Sequence, residues 1–287
     1  MTEKKSKITL IFALMPALAV IVRIISLATI YDFETGFFTN HSNPLVAVFY
    51  VLCVLGLVGG AVAEKIVLGK DGSSPRIIPS KVSGIAGLLT SAAMIYDARP
   101  GLSDVLSAAR TVSGFKAVSS LLGGTVNILI PVFEILAALV IIVLSALALT
   151  GKHIEAKIAP AVLIPVFWAL CNIIRTFSIT ASYIKQSQIF VELFFWLTAT
   201  VAFLAYARRI CNIGLKESGY FFRPASFGVC AFAVMMIAFF VFTGNYSRLP
   251  VVAGVLIFFA AALIAPTKAT DEPEEAPENE PETPEIT

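Results

Sequence analysis

Eight stretches of this chain approach the length and apolarity needed to cross a bilayer, and no other feature constrains its fold as strongly. A helix needs about 20 mostly apolar residues to traverse the hydrocarbon core. The segments run Ile8–Ile30, Pro44–Ala63, Lys81–Asp97, Val126–Thr150, Pro160–Thr180, Gln188–Ala207, Ala225–Thr243 and Leu249–Pro266. Two are short. The third is interrupted by Gly84 and Gly87, and the eighth follows a tight turn at Gly244-Asn245-Tyr246-Ser247. The expected fold class is all-α: a polytopic transmembrane helical bundle of about eight spans.

Composition agrees with a chain solvated mainly by lipid. Hydrophobic residues make up 57% and charged residues 14%, against roughly 45–50% and about 25% in soluble domains. The near-neutral net charge of +2 conceals a split. Residues 271–287 hold 8 of the 19 acidic residues and no basic one, so a body of +10 carries a tail of −8. Residues 1–268 are therefore expected to form the transmembrane domain. Residues 269–287, with prolines between glutamates, are expected to be a disordered acidic tail, since such a segment cannot bury a core.

Lysine and arginine accumulate on the cytoplasmic side of short loops. Eight spans place both termini on one side, with 14 basic residues there and five on the other (Arg99, Arg110, Lys116, Lys185, Arg248). Both termini are thus expected in the cytoplasm, and the plasma membrane is the expected location. A cleaved leader is the rival reading. Lys4, Lys5 and Lys7 precede an apolar run containing Ala17-Leu18-Ala19, but cleavage would leave seven spans and a less well explained charge bias.

The two halves of the domain resemble each other. Pro16 precedes Arg23 by seven residues, and Pro165 precedes Asn172 by seven. Phe49-Tyr50 and Phe194-Phe195, and likewise Pro79 and Pro224, are offset by 145. This pattern suggests a parallel four-plus-four duplication over 8–152 and 160–268; chance similarity among apolar helices is the alternative. The first half carries an insertion at 98–125. Leu102, Val105, Leu106, Ala109 and Val112 share one helical face in it, which suits either an interfacial helix or a re-entrant hairpin.

Chemistry-bearing motifs are sparse. The four cysteines lie in or beside apolar runs without a C-x-x-C pair, and His41 and His153 lie in polar loops. No metal site, haem or other cofactor is expected. Metalloprotease, nucleotide-binding and α/β-hydrolase signatures are absent from the sequence, and no nucleophile stands at a recognisable spacing from a base. A non-enzymatic role is favoured, with carboxylate chemistry at Glu134 the one exception. The basic loop Arg208–Arg223 reads as a topology determinant at an anionic lipid surface rather than a nucleic-acid site.

Charges within spans are costly and mark function or pairing. Arg23, Glu134, Arg175 and Glu192 all fall in the outer half of their spans, with Asn172 one turn from Arg175 and Asp97 closing span three. Two arrangements follow. The set can be a structural network, with Arg23 pairing Glu134 and Arg175 pairing Glu192. It can instead line an outer polar cavity for a small polar or charged solute, with Glu134 as proton or cation site and Arg23, Asn172 and Arg175 contacting an anionic group. The functional expectation is a transporter-like or solute-binding protein. The alternative is a non-catalytic accessory protein whose acidic tail recruits a cytoplasmic partner.

Overall fold

The computed structural model describes residues 2–33, 35, 37–39, 43–68, 76–78, 80–151, 158–180, 187–211 and 221–268. The acidic tail, both histidines, the Asp71–Pro75 turn and most of the Arg208–Arg223 loop lie outside the described residues. The helices are α1 (Thr2–Thr29), α2 (Pro44–Leu68), α3 (Lys81–Thr111), α4 (Phe115–Leu121), α5 (Thr125–Thr150), α6 (Ala159–Val162), α7 (Ile164–Thr180), α8 (Ser187–Cys211), α9 (Phe222–Thr243) and α10 (Leu249–Ile264). Two small antiparallel pairs join them: β1 (Tyr31–Asp32) with β2 (Phe37–Phe38), and β3 (Arg76–Ile77) with β4 (Thr267–Lys268).

The chain is a helical bundle of the kind that crosses membranes. Among the described residues, five helical stretches have the length and apolarity to do so: Pro44–Val62, Thr125–Thr150, Ala159–Ser178, Gln188–Cys211 and Phe222–Thr243. Leu14–Thr29 and Leu249–Ile264 are apolar but shorter. Large apolar side chains stand on the outside, as on α2, where Val51, Leu55, Val58 and Val62 are exposed. Lipid is as apolar as these side chains, so their exposure carries no cost in a bilayer.

Six helices close a ring. α3 packs against α5 and α10, α5 against α7, α7 against α8, α8 against α9, and α9 against α10. α1 and α2 pack on each other and on the outside of α9. Aromatic rings fill the interior: Trp168 meets Trp196 at 5.0 Å between ring centroids, and Phe203 meets Phe259 at 4.8 Å. Among the described residues the ring therefore encloses a packed core at this level.

α3 is the polar member, and its glycines explain how it fits. A Cβ on Gly84 would come within 2.8 Å of Leu149 Cγ, and one on Gly87 would overlap Ser145 Oγ. Both glycines let α3 lie against α5 backbone to backbone, the small-residue packing typical of membrane helices. On its other flank, Thr90 donates to the Gly254 carbonyl of α10 at 2.7 Å. The residues that weaken span three as a sequence signal are those that seat it.

The ends of the bundle are distinguishable. At one end β1–β2 folds over α9, with Tyr31 against Phe239 and Phe33 against Phe242. At the other, β3 pairs with β4 and Ile78 N–H donates to Pro266 O at 2.9 Å, which joins the α2–α3 connection to the end of α10. The insertion at 98–125 is not an independent helix at its start. α3 runs unbroken through Pro100 to Thr111. Its path is allowed because Gly101 has no Cβ to meet Pro131 of α5, which would lie 3.2 Å away. Gly114, at φ 94°, then turns the chain into α4, and Ala108, Val118 and Ile128 pack together beneath it.

Candidate functional site

Three carboxyl groups and two guanidinium groups converge at the β1–β2 end of the ring. Arg175 lies at the centre. It extends from α7 on the face that also carries Trp168, Asn172 and Thr176. Its Nη2 is 3.9 Å from Glu192 Oε1 on α8, and Asp97 of α3 and Glu134 of α5 are its other charged neighbours. Arg248, in the turn before α10, approaches the same Glu192 Oε1 at 3.4 Å, and Thr176 Oγ1 donates to that oxygen at 3.3 Å. Glu192 thus collects donors from two places, α7 and the turn before α10. It remains partly exposed, with about a quarter of its side chain accessible.

Glu134 is the deep member. Only 2% of it is exposed. The Asp97 carboxyl and the Trp168 indole face it as its nearest polar neighbours, but neither contact reaches good hydrogen-bond geometry at Glu134 Oε1 or Trp168 Nε1. Unsatisfied polar atoms in a hydrocarbon-like interior cost several kcal/mol. Pro131, one turn earlier on α5, contributes no backbone N–H and abuts Gly101 of α3. Two proline-bearing helices therefore meet beside this carboxyl.

Asp97 links the buried group to solvent. It lines a groove of about 830 Å³ bounded by Tyr96, Arg99, Ser103, Arg110 and Ser247. The groove runs along the second half of α3 and reaches the turn before α10. It is the most polar of the described cavities, and Asp97 is at once part of its wall and a neighbour of Glu134.

The sequence-predicted residues divide into two groups. Glu134, Arg175 and Glu192 come together, and the Arg175–Glu192 pairing is present. Asn172 shares their helix face but turns inward, donating to the Trp168 carbonyl of its own helix at 3.1 Å. Arg23 does not pair with Glu134, which corrects that expectation. It is fully buried in a separate nest, with its guanidinium 5.2 Å from the Tyr31 ring, 5.5 Å from Phe38 and 5.6 Å from Phe49, and it donates to Gln188 Oε1 at 3.3 Å. The reason is the ring topology: α1 packs outside α9, on the far side from the α3–α5–α7 arc.

One contributor escapes sequence reasoning, and a second is seen there only as a charge at a span end. Arg248 reads as a loop charge on the outer side, and Asp97 as the end of a short span. Only the α10 turn's position over α8 gives Arg248 its partner. A signal for Asp97 existed in the sequence, because it is the acid of α3 nearest the depth of Glu134. Among the described residues, no cluster of three or more metal-ligating side chains suited to a metal ion occurs. No family model matches the chain, and neither a curated protein nor a solved structure matches it significantly.

Proposed function

We propose that this chain is a multi-pass protein of the plasma membrane, with eight crossings and both termini in the cytoplasm, that binds a small polar or charged solute at its outer face. The observation carrying this reading is the continuity from the groove, through Asp97, to the buried and incompletely bonded Glu134. Three carboxyls against two guanidiniums leave the cluster with a formal excess of negative charge. At the Glu134 end that balance suits a proton or the cationic part of a solute. Arg99 and Arg110 stand on the groove rim, where they would meet the anionic part of a zwitterion.

The eight-crossing count draws support from the agreement between each apolar segment and one helix or broken helix, α6–α7. The two small sheets mark opposite ends of the bundle. One gathers the α1–α2 connection at the groove end, and the other gathers the α2–α3 connection with the end of α10. A four-plus-four ancestry is consistent with the α1–α2 pair matching α7–α8, and α3–α5 matching α9–α10. The match is incomplete, since α9 also embraces α1 and α2 while α7 and α8 lie beside each other within the ring.

The test is thermal unfolding of the purified protein against a panel of amino acids, organic cations and carboxylates. The reading expects at least one solute to raise the midpoint, and Glu134→Gln to abolish that rise while leaving the unliganded midpoint unchanged. A panel without effect, or a Glu134→Gln variant that only unfolds earlier, would point to the accessory alternative. That second reading is favoured by one observation, the Arg175–Glu192–Arg248 arrangement, which ties three ring helices together without needing a solute. Deleting residues 271–287 tests its partner-recruiting element by loss of co-purifying cytoplasmic protein.

A further inference from the structure

We infer that a cleft at the β3–β4 end is a binding site for an anionic phospholipid, with one acyl chain along the cleft and the headgroup phosphate on Lys65. The cleft has a volume of about 590 Å³ and lies between α2, α8 and the start of α9. Pockets for small ligands span roughly 300–1,000 Å³, so it is large enough for a chain segment. Its walls are almost wholly apolar: Leu57, Ala61 and Val62 on one side, Leu197 and Val201 on the other, with Pro224 at the back. Gly60 and Gly228 shape it, because α2 meets Pro224 and Leu57 meets α9 at those glycines.

The occupant follows from how charge is distributed along the cleft. Leu57, Ala61 and Lys65 fall at four-residue intervals on one face of α2, so the apolar wall ends on an ammonium group. On α8, Leu197, Val201 and Arg208 follow the same face at spacings of four and seven. Arg223 stands between the cleft residues Phe221 and Pro224. Lys65, Arg208 and Arg223 are all exposed. From Leu57 to Lys65 the helix rises about 12 Å, close to the ~15 Å of one leaflet's hydrocarbon. An apolar slot one leaflet deep, opening towards lipid and ending on Lys65, with exposed Arg208 and Arg223 on the flanking helices, matches an acidic amphiphile oriented as in the membrane. A basic pocket between spanning helices on the cytoplasmic side is the chemistry by which such headgroups are held. This site is remote from Glu134 and independent of any solute bound there.

Spin-labelled phosphatidylglycerol and phosphatidylcholine in vesicles containing the full-length protein provide the test. The native protein is expected to immobilise more phosphatidylglycerol than phosphatidylcholine. Each cation near an anionic surface strengthens attraction by about fivefold, so Lys65→Ala should reduce the preference by about that factor, and Lys65→Arg should retain it. Ala61→Phe should reduce the immobilised fraction of both lipids by filling the slot; Ala61→Leu is the milder version if the phenylalanine variant fails to fold. Equal immobilisation of the two lipids by the native protein would overturn the proposal. So would an unchanged preference in Lys65→Ala, or an unchanged immobilised fraction in the folded Ala61 variant.

Discussion

Thr90 Oγ1 lies 2.8 Å from the Ala86 carbonyl of its own helix and 2.7 Å from the Gly254 carbonyl of α10. The hydroxyl has one proton to share between the two carbonyls, and donated to Gly254 it ties α10 to α3. Gly254 permits the approach, since a Cβ there would come 3.2 Å from Thr90 Cα. Hydrogen bonds between membrane helices average about 0.6 kcal/mol and reach about 1.7. Thr90→Val, which keeps the shape and loses the donor, should lower stability by about 1 kcal/mol in an unfolding titration. Gly254→Val should cost more, because it forces α10 away from α3 along the whole contact.

Gly87 and Ser145 make a second close contact, in which an added methyl would overlap the serine oxygen. Overpacking a close-packed site costs typically 1–3 kcal/mol, and about 2 is expected for Gly87→Ala. Removal of the oxygen leaves Ile141 Cγ2 at 3.3 Å and Ser145 Cβ at 3.4 Å from the new methyl, contacts that a shift of a few tenths of an ångström relieves. Gly87→Ala with Ser145→Ala should therefore be more stable than Gly87→Ala alone. Additive losses in the double-mutant cycle would argue against this packing.

Arg23 should not tolerate lysine. Three rings surround its guanidinium within 5.6 Å, and Gln188 accepts from Nη2. A lysine keeps the charge but loses the planar stacking surface and the forked donors. With cation–π contacts worth about 0.5–2 kcal/mol, Arg23→Lys should reduce stability by roughly 1–2 kcal/mol and loosen the β1–β2 segment. Faster proteolysis between residues 31 and 39 is the readout.

Glu192 and Arg248 should couple weakly. About a quarter of each side chain is accessible, and exposed pairs contribute about 0.2–1 kcal/mol. A cycle of Glu192→Gln and Arg248→Gln should give a coupling below about 1 kcal/mol that shrinks as salt is raised. A larger, salt-insensitive coupling would mean that the turn before α10 is anchored far more firmly than its exposure implies.

Sidedness can be read with single cysteines, because three of the native ones are buried and Cys230 is half-buried. A cysteine at Ser107, on the exposed face of the groove helix, should react with an impermeant thiol reagent in intact cells. One at Ser80, the N-cap of α3, should react only after permeabilisation.

The helices were legible because lipid leaves little choice: a long apolar run must satisfy its backbone internally, and each of the eight segments is helical. The Arg175–Glu192 pair was legible too, since both sit on consecutive helices joined by a short connection. Arg23 was not. Depth within a span follows from counting residues, whereas the direction a residue faces follows from which helices adjoin, and α1 lies outside the ring. Asp97 was placed at a span end for a similar reason. α3 continues 14 residues past it, so the acid lies mid-helix beside the groove.

The glycine seam of α3 has a consequence for how the protein is made. A helix carrying Asp97, Arg99, Asp104 and Arg110, and lacking the apolar content of its neighbours, partitions poorly into a bilayer alone. Its two firm partners arrive later in synthesis: α5 through Ser145 and Leu149, then α10 through Gly254. α10 is the last helix among the described residues. Stable residence of α3 in the membrane thus waits on the synthesis of α10, and a ribosome halted before residue 254 leaves a protein whose third helix is seated against α5 alone.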